Sequence, residues 1–270
     1  MSQKPTSGKP HLCLCALASG SRGNAVYVSD GQTSILLDAG LSAKEVERRL
    51  SVHGIDPGRI NALVLSHEHV DHARGVGIFS RRFDLPVYVT RPTHAKAAGI
   101  LGSIGDLRHF VSGTAFSIGS LALHPFPVSH DAADPVGFTI KSKGLKVAVA
   151  TDLGIATEMV RQHLKDASAI LLESNHDPKM LEQGPYPWPV KQRVAGRMGH
   201  LSNEAARDLL ASILSDRLSH VILGHISQTN NLPEKARSVV AQAISGHPAR
   251  LWVASQDACG ALVSVTYPDA

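Results

Sequence analysis

Cysteine is scarce in this chain, long apolar runs are missing, and neither sign of charge dominates. Each shortage removes a class of protein. Cys13, Cys15 and Cys259 are too few to staple 270 residues; odd in number, they read as reduced core thiols and not as a disulfide framework. No stretch approaches the about 18 apolar residues of a membrane span. Met1 to Pro10 is polar and lacks the hydrophobic region of a signal peptide, so a cytoplasmic protein is expected. The net charge of +4 is too mild to argue for a nucleic-acid partner by itself. No repeat recurs at a fixed period. What remains is an ordinary globular composition, 43% apolar and 19% charged, in a chain long enough to bury a substantial core. A polar tail over residues 1–11 and one domain over 12–270 are expected.

The chain is organised around His67-Glu68-His69-Val70-Asp71-His72. It follows the apolar run Ile60 to Leu65, broken only by Asn61, which reads as a buried strand. Alternation along an extended segment points His67 and His69 to one side. Asp71 and His72 fall where the chain turns into a helix, so they can face a second centre. Imidazole nitrogens and carboxylate oxygens are the ligands that zinc, manganese and iron accept.

Around this motif, strands alternate with helices. Strands are expected at 12–18, 25–29, 33–37, 86–90, 116–118, 121–128, 138–141, 146–150, 169–172, 219–223, 251–255 and 261–266. Helices are expected at 42–53, 75–82, 92–101 and 157–165, from Ser202 or Asn203 to about 214, and onward from Pro233. In the helix over 42–53, Val46 and Leu50 stand four apart among charged neighbours. The loop Ser19-Gly20-Ser21-Arg22-Gly23-Asn24 reads as a hairpin turn in preference to an anion loop. Pro178 to Gly199 reads as turns. The elements fall into two similar halves parting near 125–135. They fit an α/β (α+β) architecture of two mixed sheets packed face to face with helices outside.

Polar residues recur at strand ends: Asp38, His67, His69, Asp71, His72, His130, Asp152, Glu173, His200 and His225. The remaining histidines considered, His53, His94, His109, His163, His220 and His247, read as surface residues. The His67–His72 stretch resembles the HxHxDH motif of the metallo-β-lactamase superfamily, and Asp38, His130, Asp152 and His225 follow that superfamily's order. The resemblance implies a four-layer αββα sandwich with two divalent metal ions, zinc or manganese or iron. By that resemblance His67, His69 and His130 hold one ion. Asp71, His72 and His225 hold the other, Asp152 bridges them, and Asp38 orients a ligand. A histidine after the motif aspartate, with no cysteine near the site, is unlike the commonest β-lactamases. His69 is unlike the flavodiiron oxidoreductases.

Ser19 to Asn24, Ser129 to Ala132, Leu172 to Asp177 and Gly199 to Asn203 are similar to the YycJ/WalJ-type branch, which implies 5′-to-3′ exonuclease action on duplex DNA. Arg22 departs from that pattern, where a small residue is more usual. Two cations would activate water and clamp the oxygens of an in-line displacement, so no serine or cysteine nucleophile is needed. His200 stands where ribonuclease Z has its proposed acid histidine and is assigned that role, while Asp71 and Asp38 join it as catalytic residues through the metal site; the bland alternative for His200 is a helix-start histidine bonded locally. Lys191, Arg193, Arg197, Ser202 and Asn203 are the candidate phosphate contacts, with DNA expected over RNA. Tyr186 and Trp188 could stack on a base or simply pack. A thioester or lactone hydrolase of glyoxalase II type is the competing reading, and it has no need of the basic cluster.

Overall fold

A computed structural model describes residues 11–266. Residues 1–10 of the expected tail lie outside the described residues, and His11 already belongs to the first strand. β1 (His11–Ala18), β2 (Ala25–Ser29) and β3 (Ser34–Leu37) form an antiparallel meander. β4 (Ala62–Val64), β5 (Val87–Thr90) and β6 (Leu107–Phe110) extend it in parallel. Helices α1 (Ala43–Val52), α2 (Val70–Ala73), α3 (Val76–Phe83) and α4 (Arg91–Leu101) make the crossovers. In the second sheet, β7 (Phe116–Ile118), β8 (Leu121–Pro127), β9 (Val136–Ser142) and β10 (Leu145–Ala150) are antiparallel. The strands β11 (Ala169–Glu173), β12 (His220–Gly224) and β13 (Arg250–Val253) add in parallel. Their connections carry α5 (Glu158–Leu164), α6 (Pro178–Gln183), α7 (Trp188–Ala195), α8 (Asn203–Ile213) and α9 (Pro233–Val240). Finally β14 (Val263–Thr266) returns to pair with β1, so the orders are β14-β1-β2-β3-β4-β5-β6 and β13-β12-β11-β10-β9-β8-β7.

Strand alternation sorts the apolar residues into three layers of core. Leu12, Leu14, Ile35, Leu37, Phe138, Val147 and Leu171 meet between the sheets. The intervening Cys15, Leu17 and Leu36 face α1 and α3 through Val46, Leu50 and Phe79. Across the molecule Ala148, Ile170 and Leu172 meet Val160, Leu209 and Val240. Each large side chain buried this way contributes about 1.5–3 kcal/mol. Three cores in series make the αββα sandwich. Among the described residues no helix is long and apolar enough to cross a membrane.

Three expectations need correction, and one strand was not expected. The chain passes between sheets in the segment linking Phe110 to Phe116, not near 125–135, and its last strand rejoins the first sheet. Strand β6 went unpredicted because only Phe110 of its four residues is buried, which leaves no periodic signal. The stretch 178–199 contains two helices where turns were expected. Pro178 and Pro189 sit in the first turns of α6 and α7, where a missing N–H costs nothing, and Asp177 Oδ1 caps α6 by accepting from Met180 N at 2.8 Å. Lastly, the strand expected over 60–65 is shorter, because Ile60 still closes a 3₁₀ turn.

Candidate active site

The polar strand ends converge on one edge of the sandwich. Three of them reach it by leaving the strand in the left-handed region: Asp38 (φ 60°), Asp152 (φ 59°) and His225 (φ 54°). That conformation costs about 1–2 kcal/mol for a residue with a side chain, and it turns each one sharply off its strand toward the others. Gly40, just past β3, makes the close approach possible, since a Cβ there would fall 1.6 Å from Asp71 O.

The motif loop is held from behind. Asp38 Oδ1 accepts from Ser66 N (2.8 Å), while its Oδ2 faces Ser66 Oγ and His72 Nδ1, both at 2.8 Å. With Nδ1 engaged, His72 turns Nε2 inward, 3.3 Å from Asp152 Oδ2 and 3.6 Å from Asp71 Oδ2. Asn24 adds a brace: its N–H donates to Asp71 O at 2.7 Å and its amide lies 2.9 Å from His72 Nε2. The loop 19–24 therefore backs the site, closed on itself by Gly20 N donating to Asn24 Oδ1 (2.8 Å). Arg22 lies at its outer rim, paired with Asp257.

On the second sheet, Glu173 plays the corresponding part. It is fully buried, and its four acceptances are all taken. Oε2 accepts from Leu153 N (3.0 Å) and Leu201 N (3.1 Å). Oε1 faces His200 Nδ1 at 2.8 Å and His225 Nδ1 at 2.7 Å. Burial works against its ionisation, but His200 and His225 outweigh that and hold the carboxyl down at about 2. His225 Nε2 is left pointing at Asp71 Oδ2, 3.7 Å away. His130 is anchored through Nδ1 to Gly199 O (3.2 Å), which leaves its Nε2 3.2 Å from His69 Nδ1.

These donors fit a pair of metal ions. The ligand atoms of His67, His69 and His130 lie within 4.8 Å of one another, as do those of Asp71, His72 and His225. Among the described residues His67 Nε2, Asp152 Oδ2 and His225 Nε2 are buried without any hydrogen-bond partner, which an inward-facing polar atom rarely tolerates. Two nitrogens on one tetrahedral zinc at about 2.05 Å stand roughly 3.3 Å apart, close to the 3.2 Å between His69 and His130. The charges agree. Burial opposes the charged forms of His72 and His225, yet Asp152 and the other carboxylates overcome it and push both upward. In the same way, Asp152 is held well below the usual carboxylate range by His225 and His72 despite its burial. His67 and His130 move the other way, driven down chiefly by burial.

Sequence reasoning left gaps here. Glu173 was recognised as a polar strand end but given no task; the apolar run Ala169 to Leu172 ahead of it was the available signal. Asn24 and Ser66 were missed, since their parts depend on contacts across the fold. Among the candidate phosphate contacts, Arg193 is exposed and 3.4 Å from Asp131 Oδ2, and Arg197 is exposed nearby. Lys191 instead ties α7 to α6 by donating to Glu182 O (2.6 Å). Ser202 caps α8, accepting from Ala205 N at 3.1 Å. Asn203 is fully buried, paired with Asn231 through both amides (2.9 Å each) and accepting from Ser174 Oγ. Asn203 is therefore not free for a phosphate, whereas half-buried Ser202 uses its oxygen as an acceptor in the cap. Trp188 is exposed and Tyr186 half-buried.

Fold and site define a class. The sequence model of the beta-lactamase superfamily domain matches residues 33–226, and the chain belongs to the metallo-β-lactamase superfamily of hydrolases. Within it the chain is similar to exodeoxyribonuclease YycJ of Bacillus anthracis, 36% identical over 235 residues, 86% of this chain and 89% of that one. Exodeoxyribonuclease WalJ of Streptococcus pneumoniae (strain D39) is 33% identical over 226 residues, 82% and 83% of the two chains. A match to hydroxyacylglutathione hydrolase of Hamiltonella defensa, 39% identical, spans 94 residues, 34% of this chain and 36% of that one. The fold is shared with the metallo-β-lactamase fold protein YhfI of Bacillus subtilis (TM-score 0.72, 14% identity, 95% and 100% of the chains). It is also shared with zinc-bound PqqB of Methylobacterium extorquens (TM-score 0.67, 17% identity, 95% and 100%).

Proposed function

We propose that the chain is a divalent-metal-dependent exodeoxyribonuclease that degrades duplex DNA from the 5′ end. The observation that carries the reading is the His200–Glu173 pair at the rim of the converging donors, His200 Nδ1 standing 4.0 Å from Asp152 Oδ1. A thiolate leaves without a proton, so thioester hydrolysis has no use for a proton donor there, whereas a departing sugar oxygen is a poor leaving group. The two exodeoxyribonuclease relatives, matched over most of both chains, support the same choice. The thioester-hydrolase relative is matched over only 34% of this chain.

In this reading His67, His69 and His130 would hold one cation, Asp71, His72 and His225 would hold the other, and Asp152 would serve both. When bound, zinc or manganese would supply Lewis acidity and lower the pKa of a water. Asp38 fixes the ring of His72, and Glu173 fixes those of His200 and His225. With Nδ1 on Glu173, His200 keeps Nε2 available to protonate the leaving 3′ oxygen. Arg193 and Arg197 receive the phosphates of the strand.

Duplex DNA labelled at one end or the other, incubated with zinc or manganese, tests this. Early release of the 5′ label as short products, stopped by chelator, is expected. Internal cuts, or hydrolysis confined to thioesters and lactones, would overturn it.

A further inference from the structure

A second cluster of metal-type donors lies away from the edge site, on the helix side of the first sheet. Cys15 Sγ and Cys259 Sγ are 4.0 Å apart, and with a ring nitrogen of His53 they form a set whose atoms lie within 4.8 Å of one another. We propose that Cys15, Cys259 and His53 form a separate binding site for a single thiophilic divalent cation of the zinc class.

The geometry requires little movement. Two thiolates on one tetrahedral zinc at about 2.3 Å stand roughly 3.8 Å apart, against 4.0 Å here. Gly260 O already gathers two of the three ligands, lying 3.4 Å from Cys15 Sγ and 2.8 Å from His53 Nε2, and it offers an oxygen for a fourth position. Cys15 is fully buried, whereas His53 and Cys259 are half-buried, which gives the cation a way in.

The donor set also discriminates. The edge site has only nitrogen and oxygen ligands, while sulfur selects the softer cations. Burial raises both thiols above their ordinary value, Cys15 most strongly, so they enter the site protonated. Binding then converts two S–H groups to thiolates and releases two protons to solvent. Ligation through Nε2 requires His53 to carry its ring proton on Nδ1. Two thiolates and one dication leave no net charge beside the Arg49 guanidinium, which is held by Glu45 and by Leu17 O and Gln256 O. A disulfide would use the same sulfurs, but it needs a two-electron oxidant, closure of the gap to about 2.05 Å, and has no part for His53.

Occupancy would reach toward the catalytic edge. Gln256, three residues before Cys259, accepts from Arg22 N at 2.7 Å and donates to Gly23 O at 3.0 Å. The loop so held carries Asn24, which braces Asp71 and His72. The cation would clasp β1, the end of α1 and this segment together.

The test is a cobalt(II) titration of the reduced, metal-free full chain, read by thiolate-to-metal charge-transfer absorption, which histidine and carboxylate ligands do not give. The wild type should show the band and bind one equivalent more than Cys259→Ser. In Cys259→Ser the band should vanish, and in His53→Gln binding at the band should weaken at least about 10-fold. Asp152→Ala and Cys13→Ser should keep it at full strength. His53→Gln, on a half-exposed ring, covers the case in which a cysteine variant misfolds. No band in the reduced wild type, or a band that survives in Cys259→Ser, would overturn the proposal. So would air-purified protein lacking both thiols and binding no extra equivalent, which would mark the pair as a disulfide.

Discussion

The two sheets equip the edge site in opposite ways. The first supplies His67, His69, Asp71 and His72 from a single six-residue stretch, with Asp38 behind it. The second supplies His130, Asp152, Glu173, His200 and His225, each from a different strand end or loop. A local cluster keeps its shape as long as one loop folds. A dispersed one needs several connections to arrive in register, and this half of the site meets that demand with one buried carboxylate. Glu173 takes four donors from four places: two main-chain N–H groups and two imidazoles. The left-handed residues divide the same way, with Asp152 and His225 on the dispersed side and Asp38 alone on the other. Positioning costs are concentrated where sequence proximity gives no help.

The largest effect is expected at the point where the two halves meet. Asp152→Ala should bring turnover to background and metal content below two equivalents per chain, with circular dichroism unchanged. Wild-type rates in that variant would break the comparison outright. His200→Ala comes next. It should retain metal and slow DNA cleavage by about 10²–10⁴-fold, while barely slowing a nitrophenyl phosphodiester whose leaving group needs no proton. Equal losses on both substrates would make His200 a positioning residue.

Glu173→Gln sharpens the contrast directly. Replacing a carboxylate that orients metal-binding histidines typically costs about 10–100-fold in affinity or activity. Since Glu173 holds two rings and Asp38 one, Glu173→Gln should lose more than Asp38→Asn when metal affinity is measured by competition with a chelator. The reverse order would mean that the local half is the more fragile. A smaller effect is expected at the rim. The pair Arg193→Ala and Arg197→Ala should raise KM several-fold at constant kcat and lower the salt slope of DNA binding by about one per lost contact. Smallest is a pH effect at His176, beside the dispersed half. Burial holds this imidazole down from 6.5 to about 4. Between those values the unfolded chain binds a proton that the folded chain refuses, so stability falls as pH drops through that window. His176→Gln should flatten the fall of melting temperature with pH across that window.

How much could be read without the fold follows the same division. The motif loop was legible because its residues are adjacent and sit after an apolar run. Asp152 and His225 were legible only as polar residues at strand ends, made specific by family resemblance. The task of Glu173 was hidden, because nothing local distinguishes a strand-end glutamate that binds two histidines from one that faces water. Asn203 was misjudged for the converse reason. A polar pair opening a helix reads as available, whereas in the structure the serine caps α8 and the asparagine is locked to Asn231. The helices α6 and α7 were obscured by prolines whose meaning depends on position within a turn.

The pairing of β14 with β1 has a consequence for how the molecule is made. On the ribosome the chain has delivered every proposed ligand of the edge site once His225 emerges, yet β1 still lacks its outer neighbour. His11 pairs with Thr266, and roughly 40 more residues must be added first, some 2–8 s at 5–20 residues per second. Through that interval one border of the first sheet offers unpaired backbone to any passing strand. Cys259 and Gly260, at the approach to β14, arrive just before the border closes.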